Sequence, residues 1–187
     1  MKKIILFAAA MLAFLGLSAQ PKFAYVNFSE LVQLMPEADQ ARTTITASGK
    51  EAQDTYQSMM DEFNTKYSQY EQKASTWTPA IRESKEKELT DIQRRVQEFS
   101  QSIQQELQQQ EQQLMAPIYK KAQETLNEIA KNGGYSVVID RTSALYLDET
   151  QWTDLTKEAR QALGIPEDRT LESLQAELQA AAANLQQ

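Results

Sequence analysis

Tyr70-Glu-Gln-Lys-Ala-Ser-Thr-Trp77-Thr78-Pro79-Ala-Ile-Arg82 reads as the reversal of one long helix into another. Thr78 is a helix-capping residue, and Pro79 suits a first helical position, where its missing N–H costs nothing. Upstream, Ile45, Gly49, Ala52, Tyr56, Met60, Phe63, Tyr67, Tyr70, Ala74 and Trp77 succeed one another at steps of three or four. Downstream, Leu89, Ile92, Val96, Phe99, Ile103, Leu107, Gln110, Leu114, Ile118, Ala122, Leu126 and Ile129 do the same. Each series occupies one helix face, and the two faces have each other to bury. The mean step is about 3.6 residues, closer to a straight helix than to the 3.5 of a strict left-handed coiled coil. The expectation is an almost straight antiparallel arm over 37–131, on the order of 60 Å long at ~1.5 Å rise per residue.

Pro36 and Pro117 lie 41 and 39 residues from the Trp77-Thr78 tip, so they should face each other. A matched bend is expected there, where the arm meets a body built from 20–36 and 132–165. In that body Lys22-Phe-Ala-Tyr-Val-Asn27 reads as a strand carrying Phe23, Tyr25 and Val26. Asn27 or Ser29 then caps a short helix through Met35. Gly133-Gly134 ends the returning helix, and Tyr135-Ser-Val-Val-Ile-Asp140 is a second strand with Val137, Val138 and Ile139. Residues 144–147, with Leu145 and Leu147, are expected as its hairpin partner. Thr153 or Asp154 caps a helix ending at Leu163 and Gly164. Strands this short are marginal alone and leave edges that invite pairing between copies.

The N-terminus is set apart from this fold. Lys2 and Lys3 precede an apolar run over 4–17 and a small-residue site, the pattern of an export signal peptide (1–19) cleaved after Ala19. The run is shorter than the ~20 residues a membrane span needs, so stable membrane insertion is not expected. Without Lys2 and Lys3 the chain has 17 basic against 26 acidic residues, a net charge of −9, which makes nucleic acid an unsuitable partner. The absence of histidine and cysteine removes the commonest general base, metal ligand and thiol nucleophile, along with any disulfide. No Gly-rich phosphate loop can be written, so no ATP or other cofactor is expected. The acids Asp61, Glu62, Glu86 and Glu88 lie on a rod without a pocket, which argues against a two-carboxylate hydrolase.

At helical spacing Tyr56, Phe63, Tyr67 and Tyr70 read as packing inside the hairpin, whereas Trp77, at the tip, is a candidate contact for a bound partner. The glutamine-rich stretch 97–113 is interleaved with Phe99, Ile103 and Leu107, as in a helix with solvated faces. The alternating charges Arg82, Glu83, Lys85, Glu86, Lys87 and Glu88 read as an ordinary wet helix face without a role.

Phe23-Ala-Tyr-Val-Asn27, Pro117-Ile-Tyr-Lys-Lys121 leading through Ile129-Ala-Lys131 into Gly134-Tyr-Ser-Val-Val-Ile-Asp140, and Asp154-Leu-Thr156 together resemble the Skp (OmpH-like) family of periplasmic chaperones. The resemblance covers the chain after the signal peptide to about Ile165. It implies a homotrimer whose strands (Phe23, Tyr25, Val26, Tyr135, Val137, Val138, Ile139, Leu145, Leu147) assemble a small barrel-like body. Three helical tentacles would then enclose a cavity that takes unfolded outer-membrane proteins without ATP and prevents their aggregation in the periplasm. The fold class expected is α+β, mainly α: a long antiparallel coiled-coil helical hairpin on a small β-containing trimerisation body.

The chain departs from that pattern in two places. Several relatives are basic, and their affinity for lipopolysaccharide is attributed to that charge; 37–131 here carries 12 basic and 16 acidic residues, so no lipopolysaccharide site is carried over. The tail, 166–187, aligns Leu171, Leu174, Leu178 and Leu185 on one helical face, which suits packing on the body, a coiled-coil contact, or a free end. The alternative is a non-catalytic coiled-coil scaffold of the cell envelope. A scaffold needs apolar outer faces for lateral assembly, and these are polar.

Overall fold

Lys22-Phe-Ala-Tyr-Val26 forms β1 at the centre of a three-stranded sheet ordered β2-β1-β3. The structure, a computed structural model, describes residues 21–184, so the expected signal peptide and Leu185 lie outside the described residues. After β1 come α1 (Phe28–Leu34), α2 (Pro36–Lys73), a 3-10 turn (Ala74–Thr76) and α3 (Pro79–Gly133). There follow β2 (Tyr135–Asp140), a second 3-10 turn (Arg141–Ser143), β3 (Thr153–Asp154), α4 (Thr156–Ala162) and α5 (Leu171–Asn184). The described residues divide into two compact units: 21–31 with 122–167, and 32–121 with 168–184.

In the first unit β1 pairs in parallel with β2, Phe23 opposite Val137 and Tyr25 opposite Ile139. Parallel neighbours need a long crossover, and here the crossover is the whole helical hairpin. Ala24, Tyr25 and Val26 are buried, as are Leu31, Leu126, Ile129, Leu155, Ala159, Leu163 and Ile165. Asn27 caps α1: its carbonyl accepts the Leu31 N–H at 3.0 Å and its side-chain amide donates to Glu30. Gly134, at φ +68°, ends α3 in the left-handed conformation that glycine adopts without a Cβ penalty. Gly164, at φ +69°, does the same for α4.

The expected antiparallel partner of β2 is not formed. A tight hairpin turn needs positive φ at one or both central residues, and no described non-glycine residue has it. Asp140 instead accepts the Thr142 N–H at 3.0 Å and winds 141–143 into a 3-10 turn. Leu145 and Leu147 therefore lie in irregular chain rather than in a strand. The third strand is Thr153–Asp154, parallel to β1 at Ala24 and Tyr25, and the Leu155 N–H extends the ladder to the Tyr25 carbonyl at 3.0 Å. Thr153 and Asp154 thus belong to that strand, and the Asp154 carboxylate also accepts the Thr156 N–H at 2.8 Å where α4 begins.

The second unit contains the hairpin, α2 and the part of α3 up to Lys121, together with α5. Thr78 caps α3 as its chemistry predicts: its hydroxyl accepts the Ile81 N–H at 3.4 Å and its carbonyl the Arg82 N–H at 3.0 Å. The two prolines occupy unlike settings. Pro36 opens α2 after the extended Met35, where a proline is tolerated. Pro117 lies inside α3, which continues helical to Gly133.

Candidate functional site

The seam between α2 and α3 is fixed by side-chain pairs whose residue numbers change in opposite directions. Tyr70 donates to Glu86, Lys66 to Glu88, Arg95 to Glu62 at 3.3 Å, Gln110 to Ser48 at 3.0 Å, and Lys121 to Glu37. The numbers of each pair add to between 154 and 158, so the helices run antiparallel without a slip in register from the tip to Pro36. Every residue of the two sequence stripes is half-buried or buried except Tyr56 and Tyr67, 40% and 45% exposed. Ile92, 2% exposed, is the one buried residue of the described seam between Ala41 and Ile118.

Two acids read from the sequence as parts of an ordinary wet face prove to be cross-helix partners. Glu86 receives the Tyr70 hydroxyl, and Glu88 sits between Lys66 and Lys85, the latter at 2.9 Å. Alternating charge hid this, because only the fold tells which acid of the run faces the other helix. Bonding from Lys66, then Lys85, holds the Glu88 carboxyl down to about 2 from an ordinary 4.5. Lys121 lowers Glu37 in the same way. A depressed carboxyl contributes stability above its unfolded value, about 4.5, and loses it as pH falls toward 2. Glu88→Gln should thus melt below the wild type at pH 7 and coincide with it near pH 2. The Glu88 side chain is 35% exposed, so solvent screening limits the gap to at most ~4 °C in thermal melts followed by circular dichroism. A gap that persisted undiminished at pH 2 would count against the ion pairs.

At the tip, Trp77 is half-buried and meets the Tyr70 ring edge-on at 5.9 Å. The structure gives it a packing partner, and Phe63 likewise stacks along its own helix on Tyr67 at 5.9 Å.

A second surface lies on the first unit. Among the described residues, no strand pairs with the outer edge of β2. Val26, Leu126, Ala130, Val137 and Ile139 line a groove of about 480 Å³ along that strand. Val137 is 43% exposed. Of the expected body residues, Phe23, Tyr25, Val26, Tyr135, Val137, Val138 and Ile139 come together in β1 and β2. Leu145 is fully exposed and Tyr146 84% exposed, while Leu147 is half-buried. Sequence reasoning missed Trp152, whose ring lies 5.1 Å from that of Phe23.

The tail is not free. Arg169 reaches Asp39 and Glu177, each at 2.7 Å, and Leu174 is 5% exposed. Thr170 and Ser173 cap α5 reciprocally, each hydroxyl accepting the other's N–H at 3.1 and 3.0 Å. Among the described residues no group of three or more acids gathers as a metal site, and no helix is long and apolar enough to cross a membrane.

A long register-locked helical hairpin inserted between two parallel strands defines a class of elongated helical-arm proteins. The chain belongs to the OmpH-like outer membrane protein family, whose model matches residues 22–163. It is similar to the chaperone protein Skp of Yersinia enterocolitica, 26% identical over 130 residues that span 70% of this chain and 79% of the relative. It is also similar to the chaperone protein Skp of Photorhabdus laumondii, 25% identical over 149 residues that span 78% and 90%. The crystal structure of a putative outer membrane chaperone (OmpH-like) from Caulobacter crescentus shares the fold. It has a TM-score of 0.69 at 15% identity and covers 81% of this chain and 92% of that one. The chain is accordingly a chaperone-family protein and not an enzyme.

Proposed function

We propose that this protein is an ATP-independent holdase of the periplasm, exported by a signal peptide cleaved after Ala19. As a homotrimer it binds unfolded outer-membrane proteins in a cavity between helical arms and prevents their aggregation. The observation that carries the reading is the hairpin itself, in a chain whose relatives are named chaperones. Its two helices are tied to each other by cross-helix pairs while its outer faces stay polar, which suits many weak contacts to a client that must later leave without energy input. The scaffold alternative lacks the apolar outer face it needs.

The sheet edge supports self-association. An open parallel edge beside an apolar groove invites a strand or loop from another copy. Residues 144–147 read as strand, pair with no strand among the described residues, and expose Leu145 and Tyr146. Seating this segment on the neighbour's β2 edge satisfies both surfaces and places Leu145 and Leu147 in the body of the trimer.

The test dilutes a urea-unfolded outer-membrane barrel protein into buffer with and without the mature protein. Light scattering follows aggregation and native mass spectrometry counts chains. Suppressed scattering and a trimer carrying one client are expected. A monomer or filament that leaves scattering unchanged would return the scaffold reading.

A further inference from the structure

Midway along the hairpin two acids of opposite helices border a single slot. Glu51 and Glu106 belong to opposite helices, and their numbers add to 157, within the range of the bonded pairs, so they stand at one level. Both border a slot of about 530 Å³. Its apolar lining is Ala52, Phe99, Ile103 and Leu107. A second hollow is lined by the same four side chains, together with Tyr56, so this part of the seam is incompletely filled. A Cβ placed on Gly49, one turn before, would meet nothing within 4 Å.

Elsewhere on the seam a cation faces each bridging acid or a tyrosine hydroxyl meets it. Residues 43–60 and 99–119 hold one basic side chain, Lys50, against Glu51, Asp54, Glu106 and Glu111. Two carboxylates bordering a slot with apolar side chains in its lining complement a cation on an aliphatic stem, which can lay its methylenes on those side chains and its head beside the acids. With no three-acid group among the described residues, an organic cation fits the slot better than a metal ion.

We propose that this slot is a subsite for a lysine or arginine side chain of an extended client segment, with the stem on Ala52, Phe99, Ile103 and Leu107 and the head beside Glu51 and Glu106. The subsite rests on the holdase reading. It gives an acidic arm a way to hold the basic positions of an unfolded chain while its polar faces hold the rest. Clients rich in exposed lysine and arginine are then retained longer than neutral ones of equal apolar content.

The experiment uses the full mature protein and three labelled ten-residue peptides that alternate valine with lysine, glutamate or serine, read by fluorescence anisotropy in low salt. The wild type should bind the lysine peptide about tenfold more tightly than the serine peptide, the worth of about 1.4 kcal/mol, and the glutamate peptide least. Glu51→Gln with Glu106→Gln should reduce the lysine preference to within about twofold. Asp54→Asn with Glu111→Gln, an equal change in charge outside the slot lining, should preserve it. Ala52→Phe, which fills the slot, should weaken the lysine peptide without altering the charge. Loss of preference in both double variants would reduce the effect to net charge and overturn the subsite. So would a wild type that suppresses client aggregation yet shows no lysine preference, an outcome that leaves the holdase reading standing. A wild type that binds the lysine peptide through the slot but fails to suppress aggregation would overturn the holdase reading instead.

Discussion

Leu145→Asp with Leu147→Asp should convert the proposed trimer into single chains in sedimentation velocity, with the helical signal in circular dichroism unchanged. Leu145 is fully exposed in the single chain and Leu147 only half-buried, so neither substitution empties a core. The loss falls on the contact between copies. Burying a leucine side chain stabilises by roughly 1.5–3 kcal/mol, and three copies with two leucines each bring the apolar contribution to on the order of 10 kcal/mol. An aspartate in the same groove adds the cost of a charge left without a partner beside Val137 and Ile139. Removing a contribution of that size shifts assembly by several powers of ten, enough to pass from full association to none at micromolar concentration. A double variant that still sediments as a trimer would place the interface elsewhere and leave the β2 groove for another occupant.

Ile92→Ala should loosen the distal hairpin while sparing the sheet. Ile92 is the only buried side chain in a long half-buried stretch of seam, flanked by the cross-helix pairs Lys66–Glu88 and Glu62–Arg95. Truncating a buried isoleucine to alanine costs about 2–5 kcal/mol. Native-state hydrogen exchange reads that cost locally: amide protection around residues 60–95 should fall at least ~30-fold, while that of β1 and β2 stays within a factor of about two. Equal loss in both regions would show that hairpin and sheet open as a single cooperative element.

The arm was legible because its signal is redundant. Some twenty apolar positions keep one period, and an error at any one of them changes nothing, as the exposure of Tyr56 and Tyr67 shows. The reversal at Thr78 and Pro79 was legible because both residues have narrow structural uses. The sheet was half legible. Phe23, Tyr25, Val137 and Ile139 advertise strands, but β3 is two exposed residues, Thr153 and Asp154, with no alternation to betray them. Residues 144–147 misled for the opposite reason: they have strand composition, yet the turn before them lacks the residues that reverse a strand. At the sites, composition could not tell which of Glu86, Glu88, Glu51 and Glu106 bond across the seam and which border a slot in it. That depends on register, which emerges only when two helices are laid side by side. Arg169 shows the same limit over a longer span, since its partner Asp39 lies 130 residues earlier.

The register of the hairpin also orders its assembly in time. The pairs that tie α2 to α3 are separated in sequence by 16, 22, 33, 62 and 84 residues from the tip outward. Closing the 84-residue span directly costs about 1.5 kcal/mol more chain entropy than closing the 16-residue span. Once Tyr70 and Glu86 have met, each later pair closes only a short increment. Folding therefore zips from the Trp77 end toward Pro36. The two strands that flank the hairpin meet last, so an incompletely zipped chain leaves β1 without its parallel neighbour. The β2 edge on which the proposed assembly relies is thus completed only after the hairpin is closed, which makes the order of closure a built-in check on the chain.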